Sequence, residues 1–73
     1  MKISTLYKIA RQVSGITGRT PRLTVNEMTR RLHEVADNCR TKREAAEAIA
    51  SRIFNHECNG DYPATDARIL NIR

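Results

Sequence analysis

Residues 23–39 read LTVNEMTRRLHEVADNC and residues 41–58 read TKREAAEAIASRIFNHEC; between them they decide the fold. Each has a threonine followed three positions later by a glutamate, Thr24 with Glu27 and Thr41 with Glu44. That spacing predicts a capping box, in which each side chain satisfies the other residue's free backbone N–H at a helix start. Leu23 and Met28 stand at the two staple positions around the first cap. Behind it, Val25, Met28, Leu32, Val35, Ala36 and Cys39 recur at helical spacing and predict one apolar stripe. Glu27–Arg31 and Arg30–Glu34 stand four apart with opposite charge on the expected exposed side. In the second stretch Ala45, Ile49 and Ile53 form a stripe, widened by Ala46, Ala48, Phe54 and Cys58. Alanine favours helix intrinsically and lets a neighbouring helix come close. Asn59-Gly60 reads as the stop. Only Asn38, Cys39 and Arg40 separate the two predicted helices, so the expected scaffold is an αα-hairpin or helix-turn-helix.

Outward from that pair the signals weaken. Leu6, Ile9, Ala10 and Val13 fit a short helix capped by Ser4 or Thr5 and ended by Gly15, although KISTLYKI also reads as a strand. Residues 15–23, GITGRTPRL, read as a loop, with Pro21 pushing Thr20 out of helical geometry. Asp61-Tyr62-Pro63 reads as a turn. The tail, residues 64–73, is expected to be loosely ordered; ARILNIR forms a short strand or docks Ile69 and Leu70 on the hairpin. The fold class is therefore mainly α: one domain over residues 1–73, with its helical core at about 24–58.

Composition excludes several classes. Two cysteines, Cys39 and Cys58, do not make a disulfide framework, and a reduced chain is expected. The start MKISTLYKIARQVSG lacks the apolar run of a signal peptide, and no stretch reaches the 18 or so apolar residues of a membrane span. A soluble, cytoplasmic monomer without membrane contact is expected. His33, Cys39, His56 and Cys58 are poor zinc ligands by spacing: His33 and Cys39 stand six apart on one predicted helix and face different ways. Gly15-Ile16-Thr17-Gly18 matches a GXXG nucleic-acid clamp but lacks the flanking strands, so a helix stop and loop is the better reading. No nucleophile elbow, paired-carboxylate cleft or cofactor loop occurs, so neither enzyme chemistry nor a cofactor is expected.

Charge is distributed unevenly. Residues 1–31 carry seven basic groups against the single acid Glu27, a net of +6, and residues 32–73 carry a net of −1. The N-terminal part thus presents a positive field to nucleic acid or an acidic protein surface. A helix-turn-helix reading puts Arg40, Lys42 and Arg43 near phosphate, but Glu44 and Glu47 on the same helix would be repelled. The better candidates for partner binding are Leu6, Tyr7, Lys8, Arg11, Arg19, Arg22 and Arg31, which mix an aromatic and aliphatic component with arginines, as interfaces do. The bland alternative puts Leu6 in the core with Tyr7 covering it.

With the start MKISTLYKIARQVSG, the bodies TVNEMTRRLHEVADNC and TKREAAEAIASRIFNHEC and the tail ARILNIR, the whole chain resembles the small RNA-polymerase-binding transcription regulators of lytic Xanthomonas phage. The resemblance implies a partner, the N-terminal region of the bacterial RNA polymerase β′ subunit. It also implies inhibited initiation at host promoters and readthrough of terminators. A DNA-binding repressor, or an inhibitor of another host protein, is the alternative.

Overall fold

The computed structural model describes residues 1–55 and 66–72. Helix α1 spans Ile3–Thr17, α2 spans Val25–Asn38 and α3 spans Lys42–Ala48. The last continues without a break into a π-helical segment, Ile49–Phe54, and one further turn, α4, spans Ala67–Leu70. The described residues are mainly helical and contain no strand. His56, Cys58, the Asn59-Gly60 stop and the Asp61-Tyr62-Pro63 turn lie outside the described residues.

Both threonine caps form. Thr24 Oγ1 accepts from the Glu27 N–H at 3.2 Å, and Thr41 Oγ1 accepts from the Glu44 N–H at 3.1 Å. The glutamates answer differently from the expected box: each carboxylate accepts from the threonine hydroxyl, at 3.1 and 3.3 Å, rather than from the cap's backbone N–H.

Helix α1 is longer than its sequence signals predict, and the strand alternative for its start is wrong. Gly15 lies inside it, and the stop is Gly18, whose φ of 67° is the left-handed geometry that suits glycine. The Gly18 N–H donates to the Ser14 carbonyl at 2.9 Å. Two further bonds hold this last turn: the Thr17 hydroxyl donates to the Val13 carbonyl at 2.8 Å, and the Ser14 hydroxyl to the Arg19 carbonyl at 2.7 Å. Ile16 packs half-buried against the core. These contacts offset the roughly 1 kcal/mol by which an interior glycine disfavours helix.

The core draws on every helix. Leu6, Ile9, Ala10 and Val13 come from α1, Leu32 and Val35 from α2, and Ala45 and Ala46 from α3. Ile49, Ala50, Ile53 and Phe54 come from the π segment, and Ile69 and Ile72 from the C-terminal end. Helix α1 packs against α2, α3, the π segment and α4, so it fills the space that the α2–α3 pair leaves open. The core therefore reaches well outside residues 24–58. Of the tail, Ile69 docks as expected, whereas Leu70 stays partly exposed and Ile72 takes the second buried place.

The π segment has a packing rationale. From α3 into this segment the buried residues pair up as 45/46, 49/50 and 53/54, a repeat of four. At 3.6 residues per turn that repeat drifts by about 40° each step and would carry the stripe off the core. Bonds from N–H to the fifth preceding carbonyl, as from Asn55 to Ala50, turn less per residue and keep the pairs on one face. Among the described residues no polar or charged side chain is fully buried.

Candidate functional site

The N-terminal halves of α1 and α2 lie side by side and leave an open groove of about 590 Å³. Its apolar surface comes from Ile3 and Tyr7 of α1 and from Val25 of α2. Val25 is 76% exposed, which corrects its place in the expected buried stripe: Leu32 and Val35 are buried, and Met28 and Ala36 partly so. Periodicity puts Val25 on the inner side of α2, but as the first residue of the helix it stands where no neighbour covers it.

Tyr7 joins the two walls. Its hydroxyl bonds to Thr29 Oγ1 and lies 3.4 Å from the Val25 carbonyl oxygen, to which the Thr29 hydroxyl donates at 2.8 Å. The ring, half-buried, is thereby held as a wall of the groove. Lys8 and Arg11, both exposed, line the same groove. A smaller, mostly apolar hollow adjoins it, sharing Tyr7 and Arg11 and reaching Pro21, Met28 and Phe54. No carboxylate precedes Glu27 in the chain, and that of Glu27 takes the Thr24 hydroxyl. The positive rim is thus opposed by no acid from α1 or the loop after it.

Of the seven residues expected to bind a partner, the structure brings Tyr7, Lys8 and Arg11 together. Leu6 is 0% exposed and belongs to the core. Arg19 lies at the far end of α1, where its guanidinium donates to Asn55 Oδ1 at 3.3 Å and its backbone N–H to Thr17 Oγ1 at 3.3 Å. Arg22 is exposed on the loop before α2. Arg31, expected on the exposed side of its helix, is half-buried in a crevice with Glu34, Val35, Arg52 and Ile53. That crevice lies between α2 and the π segment, away from the groove. Sequence reasoning missed Ile3, Ser4, Val25 and Thr29 as groove residues; the lone valine just after the Thr24 cap was their available signal.

Elsewhere the chemistry is muted. Cys39 is half-buried beside Glu44, Glu47 and Arg52. Burial, then Glu44 and more weakly Glu47, push its thiol above the usual cysteine range against the opposing pull of Arg52. That keeps it a thiol at neutral pH and a poor nucleophile. His33 is exposed on α2, and among the described residues no three His, Cys, Asp or Glu side chains gather as a metal site. No described helix is long and apolar enough to cross a membrane.

No protein-family model, curated protein or solved structure matches the chain. Fold and site define it as a class: a small, mainly helical domain with an apolar, basic-rimmed groove between its first two helices.

Proposed function

We propose that the chain is a non-enzymatic regulator of transcription that binds bacterial RNA polymerase at the N-terminal region of β′. In this reading it inhibits initiation at host promoters and promotes readthrough of terminators, acting in the cytoplasm of a bacterial host. The observation that carries it is the groove in which Val25, Ile3 and Tyr7 are flanked by Lys8 and Arg11. An exposed aliphatic beside an aromatic and cations that no acid of α1 or the loop after it opposes is the make-up of a protein-binding patch. The polymerase itself comes from the sequence resemblance.

The test is transcription in vitro with purified polymerase, on a promoter template and on one carrying a terminator. Wild-type chain is expected to lower promoter-dependent transcripts and raise readthrough, and Lys8→Glu/Arg11→Glu to do neither. Both side chains are exposed, so the fold should survive the change. A wild-type chain that neither binds polymerase nor alters either template would refute the reading. The DNA-binding alternative draws on exposed Arg40, Lys42 and Arg43 at the start of α3, and against it stand exposed Glu44 and Glu47. A mobility shift with a steep loss of affinity as salt rises, abolished by Lys42→Glu/Arg43→Glu, would favour it.

A further inference from the structure

We infer that the α1–α2 groove receives an amphipathic helix whose polar face is acidic. This rests on reading the groove as a protein-docking site, and it names the chemistry of what docks there. Single exposed aliphatics are ordinary on protein surfaces. Here, however, Val25 at 76% exposure shares one open groove with Ile3 and the fixed ring of Tyr7. An occupant must therefore bring apolar side chains to meet them.

Charge selects among occupants. Lys8 and Arg11 line the groove, and the first carboxylate in the chain, that of Glu27, already takes the Thr24 hydroxyl. A second copy of this chain would set these cations against their own counterparts. Nucleic acid would match the cations but bring only phosphate and sugar to Val25 and Ile3. The Tyr7 ring, tied through its hydroxyl to Thr29, forms a groove wall rather than a free stacking platform. Carboxylates alternating with aliphatic anchors satisfy both the rim and the floor.

Backbone geometry selects the conformation. The described residues offer no strand, hence no free sheet edge to which a partner strand could add. One aromatic wall is fewer than the stacked aromatics that grip a polyproline segment. A groove between two helices takes a third helix by its i, i+3, i+4 anchors.

Fluorescence polarisation with the full chain tests this, using three labelled helical peptides: Glu/Leu amphipathic, its Gln/Leu counterpart and its Glu/Ser counterpart. The Glu/Leu peptide is expected to bind, and each counterpart to bind about tenfold more weakly or worse. Val25→Glu and Lys8→Glu/Arg11→Glu should each weaken the Glu/Leu peptide by a similar factor of about ten, with thermal midpoints near wild type. Added salt should erase much of the Lys8/Arg11 effect and little of the Val25 effect. Equal binding of the Gln/Leu peptide would overturn the inference, as would binding that Val25→Glu leaves intact. Tighter association with anionic phosphatidylserine vesicles or duplex DNA than with the Glu/Leu peptide would also overturn it. Polymerase binding that is lost in Val25→Glu while no peptide binds would sink the helix inference and leave the docking reading standing. Peptide binding without polymerase binding would leave the helix inference and the docking groove standing and sink the polymerase as partner.

Discussion

Helices α2 and α3 begin on threonine caps that accept from the third helical N–H, whereas α1 begins on Lys2, whose side chain caps nothing. The two capped starts also carry an acid in the first turn, Glu27 and Glu44, where the helix dipole favours negative charge. The start of α1 has none; it has Lys2 at the positive end of its dipole, an arrangement that costs roughly a few tenths of a kcal/mol. The hairpin thus uses its helix starts for stability. Helix α1 leaves its start positive and its Ile3 and Tyr7 only partly buried against the core; under the proposed function these are the features a partner would meet.

The sharpest way to break this contrast is to attack the buried side of α1. Leu6→Ala should cost about 2–5 kcal/mol, as buried leucines do. A domain this small sits near the low end of the usual range of about 5–15 kcal/mol, so the variant should lose most of its cooperative melt. A Leu6→Ala chain that melts like wild type yet fails to bind polymerase would return Leu6 to the interface. Next in size are the glycines of α1. Gly18→Ala should destabilise by about 1–2 kcal/mol, since alanine is strained at a φ of 67°. Gly15→Ala should instead stabilise by about 0.4–1 kcal/mol, because an added Cβ there meets nothing within 4 Å. Urea titrations of the pair read both signs, and a loss at Gly15 would mean that α1 ends where its first glycine stands.

The caps probe the contrast itself. Thr24→Ala and Thr41→Ala should each cost about 1 kcal/mol, while Lys2→Ala should be nearly neutral and Lys2→Asp should gain about as much as a cap loses. Thermal melts of these four variants would contradict the account if Lys2→Ala proved as costly as Thr41→Ala. The smallest effect concerns Cys39. Its raised ionisation keeps the thiolate scarce at neutral pH, so labelling by a maleimide should be slower than for a free cysteine and should speed up as pH rises. Following the label by peptide mass separates Cys39 from Cys58; labelling of Cys39 as fast as of free cysteine would show the thiol to be unshielded.

What the amino-acid sequence disclosed was mostly local. Thr24 with Glu27 and Thr41 with Glu44 announce their helices because a cap depends on residues three apart and on little else. Gly15 misled because glycine signals a stop equally well inside a helix and after one; only the contacts of Ile16 and Thr17 tell the cases apart. The π segment was hidden for a related reason. Its alanine and isoleucine pairs suit an α-helix until the position of α1 fixes which face must stay buried. The site was half readable. Charge singled out Lys8 and Arg11, and the aromatic singled out Tyr7, but charge says nothing about facing, so Arg19 and Arg31 were grouped with residues from which the fold separates them. Val25 was misread in the opposite direction, since periodicity reports the face of a helix and not whether anything lies against it.

Under the proposed function the start of α1 and the first turn of α2 meet the partner, while the cationic start of α3 does not. Amide hydrogen exchange of the chain alone and bound to RNA polymerase tests it most directly, read by peptides covering 3–11, 25–29 and 42–47. Protection is expected to rise on binding over 3–11 and 25–29 and to stay level over 42–47. Protection gained at 42–47 with 3–11 unchanged would contradict the claim and move the binding face to α3.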